Sequence, residues 1–139
     1  MNDLRKLSQE ELLKILELHK LWLENDGKEG ERADLSYCDL TYAKLKDADL
    51  RYADLTHADL TNADLTNADL GNANLTSADL FYAELRYADL TNTNLSNTKL
   101  INTKLFYAKV DNMVGLVNVG NENRHKMFIL CYAENNFYK

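Results

Sequence analysis

The stretch ADLTNADLTNADLGN, residues 58–72, repeats a five-residue unit three times and decides the fold. Its third residue, here Leu60, Leu65 and Leu70, belongs to a series that recurs at every fifth position from Leu35 to Leu105, fifteen times without a miss, and Val110 continues it. An α-helix repeats every 3.6 residues and a strand every 2, so neither keeps a five-residue spacing on one face over such a length. The backbone must turn once in each unit.

Aligned in fives from Ala33 to Asn112, the chain contains 16 units in 80 residues. Two positions before each leucine stands a small residue: alanine in twelve units, Cys38 in one, and Thr93, Thr98 and Thr103 in three. The other positions carry mostly polar side chains. Two inward positions spaced two apart fit a short extended segment, and the remaining residues turn the chain before the next unit. Repeated with one hand, this winds a coil. If four units close one turn, residues twenty apart superimpose, the rungs lie about 4.8 Å apart, and the rod is roughly 19 Å long.

The A(D/N)LXX pattern of residues 33–112 resembles the pentapeptide-repeat proteins. That resemblance implies an all-β solenoid, a right-handed quadrilateral β-helix, here of four coils. It also implies a non-catalytic scaffold or protein-binding module. The raw ends of a solenoid expose apolar side chains and unpaired backbone, so both need covers. The predicted organisation is a capping helix and loop over 1–32, the repeat over 33–112 and a cap over 113–139. In the first segment Ser8 and Glu11 form a capping-box pair ahead of Leu12, Leu13, Ile15 and Leu16, with Gly27 past the helix end and Trp22 as the largest plug. In the last, 126–132 reads as a strand and 137–139 as its short return, a hairpin-like cap. The segments 19–36 and 123–139 also resemble the leader helix and trailing hairpin of some bacterial and phage members of the family.

No run of residues approaches a membrane span and the N-terminus lacks a signal-peptide core, so the expected location is the cytoplasm. Cys38, at an inward position of the first coil, and Cys131, beyond the last, are expected to be free thiols. The histidines at 19, 57 and 125 share no metal-ligand spacing, and the chain has no phosphate-cradling glycine loop. No catalytic, cofactor-binding or metal-binding residue is assigned, and the chain is not expected to be an enzyme.

The surface carries two candidate features. The residue before leucine forms acidic columns, Asp39, Asp59 and Asp79 on the second side and Asp49, Asp69 and Asp89 on the fourth, each followed by a lysine, Lys99 or Lys109. These columns serve solubility and local turns, or they imitate nucleic acid. Some pentapeptide-repeat proteins, the quinolone-resistance and gyrase-binding ones, present an acidic surface resembling duplex DNA, which makes a DNA-mimicking modulator of type II topoisomerase the alternative function. The charge is thin for that role. Residues 33–112 carry a net −5, against about eleven charges over the same length of B-DNA. Direct nucleic-acid binding is not expected of such a surface.

The second feature is apolar. Phe81, Ile101 and Phe106 occupy the outward position after leucine, where most units carry a polar residue, and Tyr82 and Tyr107 stand beside them. Phe81 and Ile101 are twenty apart and fall on one side. Such a patch is either covered by 113–139 or offered to a protein partner, with a homodimer through the C-terminal halves as the simplest assembly.

Overall fold

The computed structural model describes residues 3–115. Parallel bridges join each unit to the one twenty residues on: Asp34 to Asp54, Asp54 to Asn74, Asn74 to Asn94 and Asn94 to Val114, with the same spacing along the other three sides. Four five-residue units therefore complete one turn of the coil.

The unit from Ala53 to His57 shows how each backbone N–H is satisfied. Asp54 N–H donates to the Ala33 carbonyl of the preceding coil at 3.0 Å, while Leu55 and His57 donate to Asn74 and Thr76 of the following one at 2.8 and 2.9 Å. Ala53 N–H closes a turn onto the Leu50 carbonyl at 3.0 Å. The fifth donor, Thr56 N–H, has no backbone acceptor and goes to the side chain of Asp54 at 3.0 Å. Buried backbone groups must be paired, so the small and apolar positions build the core while the acidic one completes the backbone.

The last residue of every unit sits in the left-handed region. All sixteen, from Tyr37 to Asn112, have φ between 52° and 63°, and none is glycine. Asparagine, at seven of these positions, tolerates this conformation well, whereas tyrosine, at six, bears the steric cost of a bulky side chain there.

Leu35 to Leu95 form the dry interior, each no more than 2% exposed, with the alanines and Cys38 packed beside them. Thr93 and Thr98 are equally buried. Their hydroxyls, with that of Thr103, donate to the carbonyls of Leu70, Leu75 and Leu80 at 2.7 to 2.8 Å. Each of those carbonyls also accepts a turn N–H, from Ala73, Ala78 and Ala83. The threonines thus use the second lone pair of a carbonyl whose first is already taken.

At the N-terminal end, helix α1 (Gln9–Glu24) begins with the complete capping box of Ser8 and Glu11. Its seat on the coil differs from the expected one. Trp22 is only half-buried, and the fully enclosed side chains are Leu12 and His19. Gly27 and Gly30, at φ of 78° and 75°, turn the chain back under the helix. A Cβ on Gly30 would lie 2.2 Å from the Leu18 carbonyl, so only glycine permits this approach.

Ahead of the helix, strand β1 (Arg5–Lys6) pairs in parallel with β2 (Cys38–Asp39) and adds a partial rung to the first coil. Arg5 N–H donates to the Tyr37 carbonyl at 2.7 Å, and its guanidinium reaches the Asp34 carbonyl at 2.6 Å. Nothing in the sequence of this short charged segment signals a strand. The predicted C-terminal hairpin, with His125 and Cys131, lies outside the described residues.

Candidate interaction surface

The bridges place Asp39, Asp59, Asp79 and Lys99 in one column and Asp49, Asp69, Asp89 and Lys109 in another, as the twenty-residue register requires. The acids are less available than a column of solvated charge. Each of the eleven Asp or Asn residues before leucine accepts the backbone N–H two positions on. Many also accept the hydroxyl of that residue, as Asp39 does from Thr41 at 2.7 Å. Hydrogen bonds from the Thr41 hydroxyl and N–H hold the Asp39 carboxyl below the usual carboxylate range. Arg51 does the same for Asp49, binding it with two guanidinium nitrogens at 2.8 and 2.6 Å and reaching Asp69 on the next coil at 3.6 Å. Around Asp89, burial works upward and is outweighed by Thr91 and Lys109, so its carboxyl too is held low.

Three columns end in a lysine bonded to the acid one coil back. Lys99 pairs with Asp79 at 2.7 Å and Lys109 with Asp89 at 3.3 Å; Lys104 pairs with Glu84. The negative surface is thereby closed off toward the C-terminal end of the repeat.

The aromatic residues from Phe81 to Tyr107 fall on two neighbouring corners. On the first, Phe81 and Ile101 are half-buried, and Tyr82 is 47% exposed with its ring edge-on to Phe81 at 4.3 Å. The second corner carries Phe106 and Tyr107, 63% and 65% exposed. It also includes Tyr87, which the sequence reading left out of the patch; its ring stacks on Tyr107 at 5.1 Å and 9°. The twenty-residue spacing of Tyr87 and Tyr107 is the signal that could have found this pair. The Glu84–Lys104 ion pair lies on the side that separates the two corners.

Cys38 is sealed in the core, its thiol pushed up by burial against the opposing pull of the Arg5 guanidinium at 3.1 to 3.2 Å. His57 is exposed and stacks on Tyr37 at 4.7 Å. Among the described residues no group of three or more His, Cys, Asp or Glu is placed to hold a metal ion, and no helix is long and apolar enough to cross a membrane.

A family model described as pentapeptide repeats matches residues 31–67 and 58–97, in eight copies. The repeat region belongs to the pentapeptide-repeat family. Proteins of this family form right-handed β-helices, which gives the coil its hand. Among solved structures, the chain is similar to the pentapeptide-repeat protein Rfr23 of the cyanobacterium Cyanothece 51142, with 32% identity, a TM-score of 0.63, and coverage of 64% of this chain and 62% of that one. It is also similar to HetL, a pentapeptide-repeat protein involved in heterocyst differentiation regulation in Nostoc sp. strain PCC 7120, with 36% identity, a TM-score of 0.60, and coverage of 63% and 41%. A third pentapeptide-repeat protein, from the thylakoid lumen of Arabidopsis thaliana, matches at 26% identity and a TM-score of 0.59, covering 70% and 72%. The chain thus spans less than two thirds of the first two structures. No curated protein sequence matches it.

Proposed function

We propose that this pentapeptide-repeat protein is a non-catalytic scaffold that binds a protein partner on its two aromatic corners. In this reading 33–112 form a rod of four coils and 1–32 cap its first rung. The observation that carries the proposal is the placement of Phe81, Tyr82, Ile101, Phe106 and Tyr107 at outward positions near one end of a rod whose other outward positions are largely polar. Aromatic side chains gathered in this way are the usual anchors of a protein interface. A second copy of the chain is the simplest occupant, since two-fold dimers are the commonest assembly. We place the protein in the cytoplasm, where a free thiol such as Cys38 stays reduced.

Light scattering at high concentration, together with affinity capture by the chain and by its Phe81→Asp/Ile101→Asp variant, tests this reading. A dimer, or a captured protein, that the variant loses supports it. A strict monomer that captures the same proteins as its variant removes it. The alternative of a DNA-mimicking modulator of type II topoisomerase draws on the acidic columns. Their use in turns and their lysine ends explain the same residues without it. Inhibition of gyrase supercoiling by micromolar protein would restore that alternative.

A further inference from the structure

We propose that His19 is the latch of an acid-operated lid: protonation of its imidazole releases α1 from the first coil and uncovers the end of the leucine column. His19 is fully buried between the helix and the coil. Its Nδ1 accepts the backbone N–H of Ala33, the first residue of the repeat, at 3.0 Å. An accepting Nδ1 carries a lone pair, so the ring is neutral and its proton sits on Nε2. Adding a second proton would set N–H against N–H at the point where the helix meets the first rung.

The surroundings offer the charged ring little compensation. On α1 itself the nearest aromatic is the neutral indole of Trp22, stacked at 5.9 Å. The loop before the repeat contributes the cation Arg32, and the coil contributes Arg51 and Asp49. That single carboxylate is already engaged by the Arg51 guanidinium. The Arg51 backbone lies near enough to favour protonation, yet Nε2 makes no hydrogen bond of full geometry. Burial is the largest influence and pushes the imidazole below its ordinary value.

The direction follows from linkage. A histidine whose value is depressed in the closed state binds fewer protons there than in the open state. Closure is therefore most favourable above about pH 6.5 and weakens below it, by up to tenfold per pH unit until the closed-state value is passed. Besides His19, the lid is held by Leu12, which enters the core, by Leu7, Ile15 and Leu16, which pack partly against it, and by Trp22, edge-on to Tyr52 at 6.3 Å, with β1 anchored just ahead of the helix; Leu13 and Leu21 face solvent.

The test is amide exchange and tryptophan emission between pH 7.5 and 5.0, corrected for the intrinsic pH dependence of exchange. Trp22, the one tryptophan of the chain, reports directly on the lid. We expect protection at Ala33 to fall by up to tenfold per pH unit below pH 6.5, with a matching change in emission and undiminished protection at Leu70. In His19→Asn, whose amide oxygen can accept the Ala33 N–H without titrating, both signals should stay flat. A flat wild type, or an equal response in His19→Asn, overturns the proposal. Direct titration of the His19 ring by NMR gives an independent readout: a midpoint at or above 6.5 overturns it even if the variant fails to fold.

Discussion

Lys99 Nζ lies 2.7 Å from Asp79 Oδ2, one full turn of the coil away, and ends a column that begins at Asp39. The pair is 56% exposed on the lysine side and 27% on the aspartate side. Water and salt therefore screen it. We expect Lys99→Glu, which extends the acidic column, to cost no more than about 1 kcal/mol at low ionic strength and to approach neutrality at high salt. Urea denaturation at two salt concentrations measures both.

The acids have a larger role inside their own turns. Removing the carboxylate in Asp59→Ala leaves the Thr61 N–H, now 2.9 Å from Asp59 Oδ1, without its acceptor, and should cost on the order of 1 kcal/mol. Asp59→Asn keeps the acceptor and should cost little, as Asn74 and Asn94 already show by making the same bond. Acid sensitivity follows from Asp34, Asp39 and Asp64, whose carboxyls are held low by Ser36, Thr41 and Thr66. A depressed carboxylate contributes stability that is fully present above its unfolded value of about 4 and is lost as pH falls through the folded value. Thermal melts between pH 5 and 2 should show this loss, in a window well below that of His19.

Tyr42 is 72% exposed and sits at φ of 58°. Asparagine meets this conformation at lower cost, so Tyr42→Asn should stabilise the protein by about 0.5 to 1 kcal/mol, an unusual sign for a substitution that removes an aromatic ring. Chemical denaturation of the two proteins decides it.

The Thr93 hydroxyl is enclosed and bonded to the Leu70 carbonyl at 2.8 Å. Thr93→Val keeps the shape but presses a methyl against that oxygen, and it should destabilise more than Thr93→Ala, which restores the common residue of the repeat. The Ala variant should cost about 1 kcal/mol for the lost bond. Leu70→Ala, at a site with no exposure, should cost about 2 to 5 kcal/mol.

The leucine spacing made the coil and its inward column legible, because one side-chain type at a non-helical period leaves the backbone few solutions. The twenty-residue register followed from the resemblance and placed Asp39, Asp59 and Asp79 correctly in one column. What those aspartates do was not legible, since a repeated acid reads the same whether it faces a partner or its own turn. The difference lies in the otherwise unpaired N–H two residues on. His19 was hidden in a helix judged on its aliphatic residues and Trp22, because its bonding partner is the Ala33 N–H fourteen positions later. The Arg5–Lys6 strand carries no β-forming residue, and only the open edge of the first coil calls it into place.

The most direct test of the stacked coil is NMR measurement of couplings transmitted through hydrogen bonds. Leu55 N–H should couple to the Asn74 carbonyl and Leu75 N–H to that of Asn94, nineteen residues on in each case. Couplings confined to carbonyls four residues back, the mark of an α-helix, would contradict the twenty-residue register and the interior column built on it.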